Sequence, residues 1–244
     1  MGRLSNQVAL ITGAGSGVGL AIAQAFLAEG AKLVLAGRDA AKLEKAAQSL
    51  NAGDAVTIVP TDITDPAAVA KLVEQATAAY GKIDILVNNA GTNLKARTMR
   101  ELTPESWQTL IRTNLDGAFY CIQAVLPQMI ARKDGVIVNI NSVSGKRAYP
   151  LAGAAYVASK FGLAGLGNCL AAEERENNIR VSNIFPGEID TPILEVRPNP
   201  VTEEARKVIL KPADVASAVL FVATLPPHVS VPELIIKPTA HVYS

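Results

Sequence analysis

Histidine and cysteine are nearly missing from this chain, with two of each in 244 residues. His228 and His241 lie near the C-terminus without a clustered partner, and Cys121 and Cys169 stand alone in helical, largely apolar stretches. None has metal-site spacing, so no metal is expected, and both thiols read as reduced residues of a core or an interface. Net charge is scarce as well. Lysine and arginine number 23 against 22 aspartates and glutamates, and the resulting +1 gives no reason to expect nucleic acid or an anionic membrane as partner. Long apolar runs are also missing. The stretch after Arg3 ends at Gly13, too short to span a bilayer, and signal-peptide cleavage there would remove a glycine turn. A cytoplasmic protein is expected. With no internal repeat, low-complexity run or linker, residues 1–244 read as one domain.

What is present is an apolar, alternating chain. Hydrophobic residues make up 49% and mean hydropathy is +0.24, enough for a sheet covered on both faces. Strand patterns fall near 7–12, 32–37, 54–60, 83–88, 134–141, 179–185 and 232–237. Helical patterns fill the gaps, at about 17–30, 39–51, 65–80, 103–131, 152–178 and 212–225. This alternation predicts an α/β fold, a doubly wound parallel sheet of about seven strands. Thr103–Pro104 and Asp65–Pro66 each pair an N-cap with proline at the first helical position, and Pro226–Pro227 ends the last helix. Residues 188–211 break the pattern with Pro192, Pro198 and Pro200, and read as a flap over a substrate.

Two motifs carry chemistry. Tyr156 and Lys160 stand four apart on a predicted helix and therefore share a face. A nearby ammonium pulls a phenol's pKa down from about 10, which makes it a usable acid or base. Near the N-terminus, the apolar strand Gln7–Thr12 breaks into Gly13, Ala14, Gly15, Ser16, Gly17, Val18, Gly19 and then a helix. Strand, glycine turn and helix is the context in which backbone N–H groups and a helix terminus receive a pyrophosphate. The spacing is T-G-x-x-x-G-x-G, not the common G-x-G-x-x-G. At the end of the second strand, where an acidic residue would bond an unphosphorylated ribose, Gly37 is followed by Arg38. A guanidinium suits a 2′-phosphate, which favours NADP(H) over NAD(H). Asp39 reads as the cap of the next helix.

From Val8 to about Pro192 the chain resembles the short-chain dehydrogenase/reductase family, whose fold is a single-domain Rossmann-type sheet. Asn88, Asn89, Ala90 and Gly91 match the family's N-N-A-G segment, which steadies the sheet and borders the cofactor. Asp62 matches the acidic residue that bonds adenine, and Pro186, Gly187 and Thr191 match the P-G-x-x-x-T segment at the carboxamide end of nicotinamide. The resemblance also assigns cofactor contacts to Gly15, Ser16, Val18, Ile63 and Ile189. Asn114, Ser142, Tyr156 and Lys160 match the catalytic residues. It implies an NADP(H)-dependent oxidoreductase that interconverts a small-molecule carbonyl and a secondary alcohol. Tyr156 would exchange the proton, helped by Lys160, which also bonds the nicotinamide ribose. Ser142 would hold the substrate oxygen, and Asn114 would hold a water linking Lys160 to solvent. NAD(H)-dependent sugar or polyol oxidation is the alternative within enzymes. A non-catalytic NADP(H) sensor is the alternative outside them, although such a protein could do without Tyr156 or Lys160.

Lys95, Arg97, Lys146 and Arg147 lie on loops that should border the pocket, as an anionic substrate would require or as ordinary solvated loops would show. Glu188 could equally face a substrate hydroxyl or amine. Two departures from the family stand out. Asn141 replaces a frequent serine and should alter a strand-end hydrogen bond. The chain also ends Leu234-Ile235-Ile236-Lys237-Pro238 rather than in a glycine-rich run, which weakens the transfer of a ketoacyl substrate. The helices near 103–131 and 152–178 carry Ala118, Phe119, Leu163, Leu166 and Leu170, too apolar for one buried stripe. A homodimer or homotetramer is expected.

Overall fold

The computed structural model describes residues 2–241. Seven parallel strands form one sheet in the order β3-β2-β1-β4-β5-β6-β7. They are β1 (Val8–Thr12), β2 (Lys32–Gly37), β3 (Val56–Pro60), β4 (Ile85–Asn88), β5 (Gly135–Ile140), β6 (Ile179–Pro186) and β7 (Glu233–Ile236). The central strands β1, β4 and β5 are buried throughout, which is why their sequences are uncharged and mostly apolar, with Asn88 and Asn139 the polar exceptions inside β4 and β5. Side chains alternate between faces. Leu33 and Leu35 point into a layer with Ile22, Phe26, Val215 and Val219. Val34 and Ala36 point the other way, toward Leu72, Val125 and Met129.

The first layer is built by α1 (Gly17–Ala28), α2 (Ala40–Leu50) and α8 (Pro212–Ala223), the second by α3 (Pro66–Tyr80), α5 (Gly117–Arg132) and α6 (Ala154–Glu173). The expected caps are in place. Asp39 accepts from the Lys42 N–H at 3.0 Å, Asp65 from the Ala67 N–H at 2.9 Å, and Thr103 from the Ser106 N–H at 3.2 Å.

Three expected boundaries change. The helix expected over 103–131 is α4 (Pro104–Ile111), a π-helical turn at 112–116 and then α5. The wider turn swings Asn114 inward, where it is 1% exposed. The helix expected to reach 178 stops at Glu173, and a separate 3-10 turn follows at 175–177. The 188–211 segment holds a 3-10 turn (Pro192–Val196) and α7 (Glu203–Val208), and Ile189 bridges Leu210 in parallel. Ion pairs tie its length together: Arg197–Glu188 at 2.7 Å, Arg206–Asp190 at 2.6 Å and Lys211–Asp190 at 2.9 Å. Among the described residues no helix is long and apolar enough to cross a membrane.

The sheet order reverses between β1 and β4, because the chain leaves β1 for β2 and β3 before returning to β4. Connections diverge at that point and open a crevice above the strand C-termini.

Candidate active site

The turn after β1 occupies this crevice. Gly13 and Gly17 have φ of +64° and +55°, the left-handed region that a side chain disfavours. Gly19 is held tighter still. A Cβ there would lie 2.4 Å from the Gly13 carbonyl oxygen and 2.6 Å from Asn89 Nδ2. Ser16, at the N-cap of α1, makes no side-chain cap bond, so the first turn of the helix keeps its N–H groups for a ligand. Thr12 and Asn89 lock the turn to β4. Asn89 Nδ2 donates to the carbonyls of Thr12 and Gly13 at 2.9 and 3.1 Å, and Thr12 Oγ1 accepts from the Asn89 and Ala90 N–H groups, each at 3.0 Å. Sequence reasoning gave Thr12 no role. Its place directly before Gly13 was the available signal.

A cleft of about 1020 Å³ runs from this turn along the strand ends. Arg38 and Lys42 line one end, and Arg38 is exposed with no ion pair among the described residues. Asp62 lines the next stretch, its Oδ1 accepting from the Thr64 N–H and hydroxyl at 2.9 Å. Each residue expected to touch a cofactor borders this cleft, with the single exception of Gly19, which shapes the turn from behind.

Ser142, Tyr156 and Lys160 line the other end. Ser142 follows β5 and caps a 3-10 turn, its Oγ accepting from the Ser144 N–H at 3.1 Å. Tyr156 enters on the first turn of α6 and lines the cleft beside Ser142. Lys160, one turn on and 4% exposed, donates from Nζ to the Ile140 carbonyl at 2.9 Å. Loss of water pushes Lys160 down to about 8. The same cause holds the Tyr156 phenol above its ordinary value, while Ser142 and the Arg97 guanidinium pull against it. The charge of Arg97 thus acts on Tyr156 beside that of Lys160, the cation to which the sequence pointed. Lys160 Nζ sits 5.8 Å from the Tyr156 ring centroid.

Asn114 is set back from the cleft. Its Oδ1 accepts from the Thr92 N–H at 2.8 Å, and its Nδ2 reaches the Thr92 carbonyl at 3.0 Å and Ser159 Oγ at 3.1 Å. Asn141 stands just past the end of β5. Its Oδ1 accepts from the Ser142 N–H at 2.9 Å, and its buried Nδ2 has no partner.

Of the four basic loop residues only Arg97 borders the cleft. Lys146 turns away to Glu233 at 2.5 Å and to the Phe185 ring. Lys95 and Arg147 are exposed. Glu188 borders the cleft but is engaged by Arg197. Cys121 is buried in the core, whereas Cys169 is exposed on α6, its thiol 3.1 Å from Glu173. His241 lines the cleft, and no cluster of metal-ligating side chains occurs among the described residues.

Residues 7–200 match the family model described as short chain dehydrogenase. An uncharacterized oxidoreductase of Staphylococcus aureus is 37% identical over 235 residues, covering 96% of this chain and 98% of that one. Among solved structures, the closed form of a serine dehydrogenase complexed with NADP+ superposes with a TM-score of 0.90 at 34% identity, covering 98% of this chain and 97% of that one. A 3-ketoacyl-(acyl-carrier-protein) reductase from Brucella melitensis, complexed with NADH, gives 0.88 at 33% identity, covering 96% and 98%. The glycine turn, the sheet reversal and the Ser142–Tyr156–Lys160 wall thus fall within a family match spanning most of the chain, which belongs to the short-chain dehydrogenase family of oxidoreductases.

Proposed function

We propose that this protein is an NADP(H)-dependent oxidoreductase that interconverts a carbonyl and a secondary alcohol, with Tyr156 as the proton donor and acceptor. One observation carries the reading. Ser142, Tyr156 and Lys160 line the wall of the same cleft whose far end is the glycine turn. The residues fit a dinucleotide, because the open α1 terminus follows a turn whose Gly13 and Gly17 hold the left-handed conformation that a side chain disfavours. Arg38 and Lys42 would hold a 2′-phosphate, which speaks against the NAD(H) sugar or polyol reading. Asp62 and Ile63 would border adenine, and Pro186, Gly187, Ile189 and Thr191 the carboxamide end. When bound, the nicotinamide supplies or accepts the hydride.

A phenol is protonated at neutral pH even at its ordinary pKa, and burial shifts Tyr156 further that way, toward the form that carbonyl reduction requires. It would give its proton to the substrate oxygen in reduction and take one in alcohol oxidation. Ser142 would fix that oxygen and stabilise the charge developing on it. Lys160 would hold the nicotinamide ribose and return protons to Tyr156. The side-chain amide of Asn114 is fully engaged, so its proposed water would rest on the main chain of the π-helical turn. Glu188, closed by Arg197, makes no first contact with substrate in this reading. The flap over 188–211 would cover the substrate.

The test is oxidation of NADPH and NADH against ketones, keto acids, acyl thioesters and quinones, with Tyr156→Phe alongside. Turnover of one class is expected, faster with NADPH. In the variant kcat should fall by at least about 100-fold, the lower range for a positioned acid or base, while NADPH affinity stays within a few-fold. Near-normal kcat in Tyr156→Phe would defeat the mechanism.

Trp107, Phe119 and Phe161 are 41%, 40% and 45% exposed on α4, α5 and α6. A second copy covering these helices, in a homodimer or homotetramer, accounts for such large apolar side chains in water.

A further inference from the structure

Arg97 is 5% exposed, lines the catalytic end of the cleft and has no carboxylate partner among the described residues. Two backbone carbonyls hold its guanidinium: Nη1 donates to Leu151 at 3.2 Å and Nη2 to Val196, while the buried Nε has no partner. Those contacts pin it between the loop before α6 and the flap. Carbonyls are dipoles and leave the unit charge uncompensated, which is costly for a cation removed from water.

Neighbouring charges do not relieve it. The charge of Arg197 acts on Arg97, and Glu188 already neutralises Arg197 at 2.7 Å. Lys160 can escape the same difficulty by releasing a proton near neutral pH, but a guanidinium cannot. One fixed positive charge therefore remains beside Tyr156 and Ser142. A ligand carrying one negative charge would balance it, whereas a phosphate ester would bring close to two.

We propose that Arg97 anchors a carboxylate on the substrate, so that the preferred substrates are short hydroxy acids and the corresponding keto acids. This deepens the carbonyl–alcohol reading and rests on it for the reacting group. Because Arg97 lines the cleft with Tyr156 and is tied to the Leu151 carbonyl, just before the helix that carries Tyr156, the carboxylate would sit near the reacting carbon. That position corresponds to a 2- or 3-hydroxy acid rather than a long acyl chain with a remote anionic end.

The experiment compares matched unreactive probes by ligand-observed NMR titration of the full-length protein, with and without NADP+, at fixed ionic strength. Isobutyrate and isobutyramide have nearly the same shape and differ in charge. Wild-type protein should bind the acid at least about ten-fold more tightly than the amide, the range expected for a charge-assisted contact. Arg97→Met should bring that ratio close to one, and Arg97→Lys should leave an intermediate value. Equal affinities in the wild type would overturn the proposal, and this comparison needs no variant to fold. An unchanged ratio in both variants would also overturn it, as would inorganic phosphate binding the NADP+-loaded protein, whose Arg38–Lys42 end is filled, more tightly than isobutyrate does. Failure of the dehydrogenase reading shows elsewhere, as a lack of NADPH turnover in the substrate panel while the acid preference persists.

Discussion

Replacing Asn139 by leucine should weaken the centre of the sheet without touching the cleft. Asn139 is 0% exposed on β5. Its Oδ1 accepts from Asn88 Nδ2 at 3.0 Å and its Nδ2 donates to Asn183 Oδ1 at 3.1 Å. The three asparagines stand at paired register positions on β4, β5 and β6. The chain of amides continues from Asn183 to Asn168 on α6 at 2.9 Å, and from Asn168 to Glu233 on β7 at 3.0 Å. Leucine would strand the Asn88 donor and the Asn183 acceptor, each costing about 1–3 kcal/mol when buried without a partner. Space is short too, because a Cβ on Gly167 would already lie 2.8 Å from Asn139 Nδ2. A loss of roughly 4 kcal/mol corresponds to a fall of about 8–16 °C in Tm for a chain of this size. Thermal melts followed by circular dichroism read this directly. A Tm within about 2 °C of wild type would refute the reasoning and show that the amides do little for stability.

Two further outcomes are expected. Burial holds Lys160 at about 8 against an ordinary 10.5, so between those values the unfolded chain binds more protons than the folded one. Stability from this group therefore rises as pH climbs from about 8 to 10.5, by up to about 3 kcal/mol, and Lys160→Met should remove the rise. Parallel curves of Tm against pH for the two proteins would contradict it. Light scattering at micromolar concentration should give two or four times the 25.5 kDa chain mass, and a monomer there would leave Trp107, Phe119 and Phe161 without the proposed cover.

The site was legible where the chemistry is local. Tyr156 and Lys160 share a helix face because of helical periodicity alone, and the glycine turn follows its strand within a few residues. Asp39, Asp65 and Thr103 announce helix starts because a cap bonds the backbone two or three residues onward. The electrostatics were not legible. Lys146 and Glu233 are 87 residues apart, and nothing near Lys146 in sequence signals that its ammonium turns away from the cleft. Arg97 resembles three neighbouring basic residues until the fold buries it. Its action on Tyr156 exists only because the loop after β4 and the N-terminus of α6 meet, Gly153 at φ +84° packing against the Arg97 backbone.

The sequence by itself determined the seven parallel strands, the helices between them, the glycine turn and the helix face that Tyr156 and Lys160 share. Each depends on hydrophobic period, backbone freedom or spacing along a single element, which short windows of sequence contain. Only the tertiary structure decided that Arg97 joins Lys160 beside the phenol, which basic groups line the cleft, and how three buried asparagines join across the sheet. Those outcomes depend on burial and on distances between groups far apart in the chain, quantities that no local stretch of sequence holds.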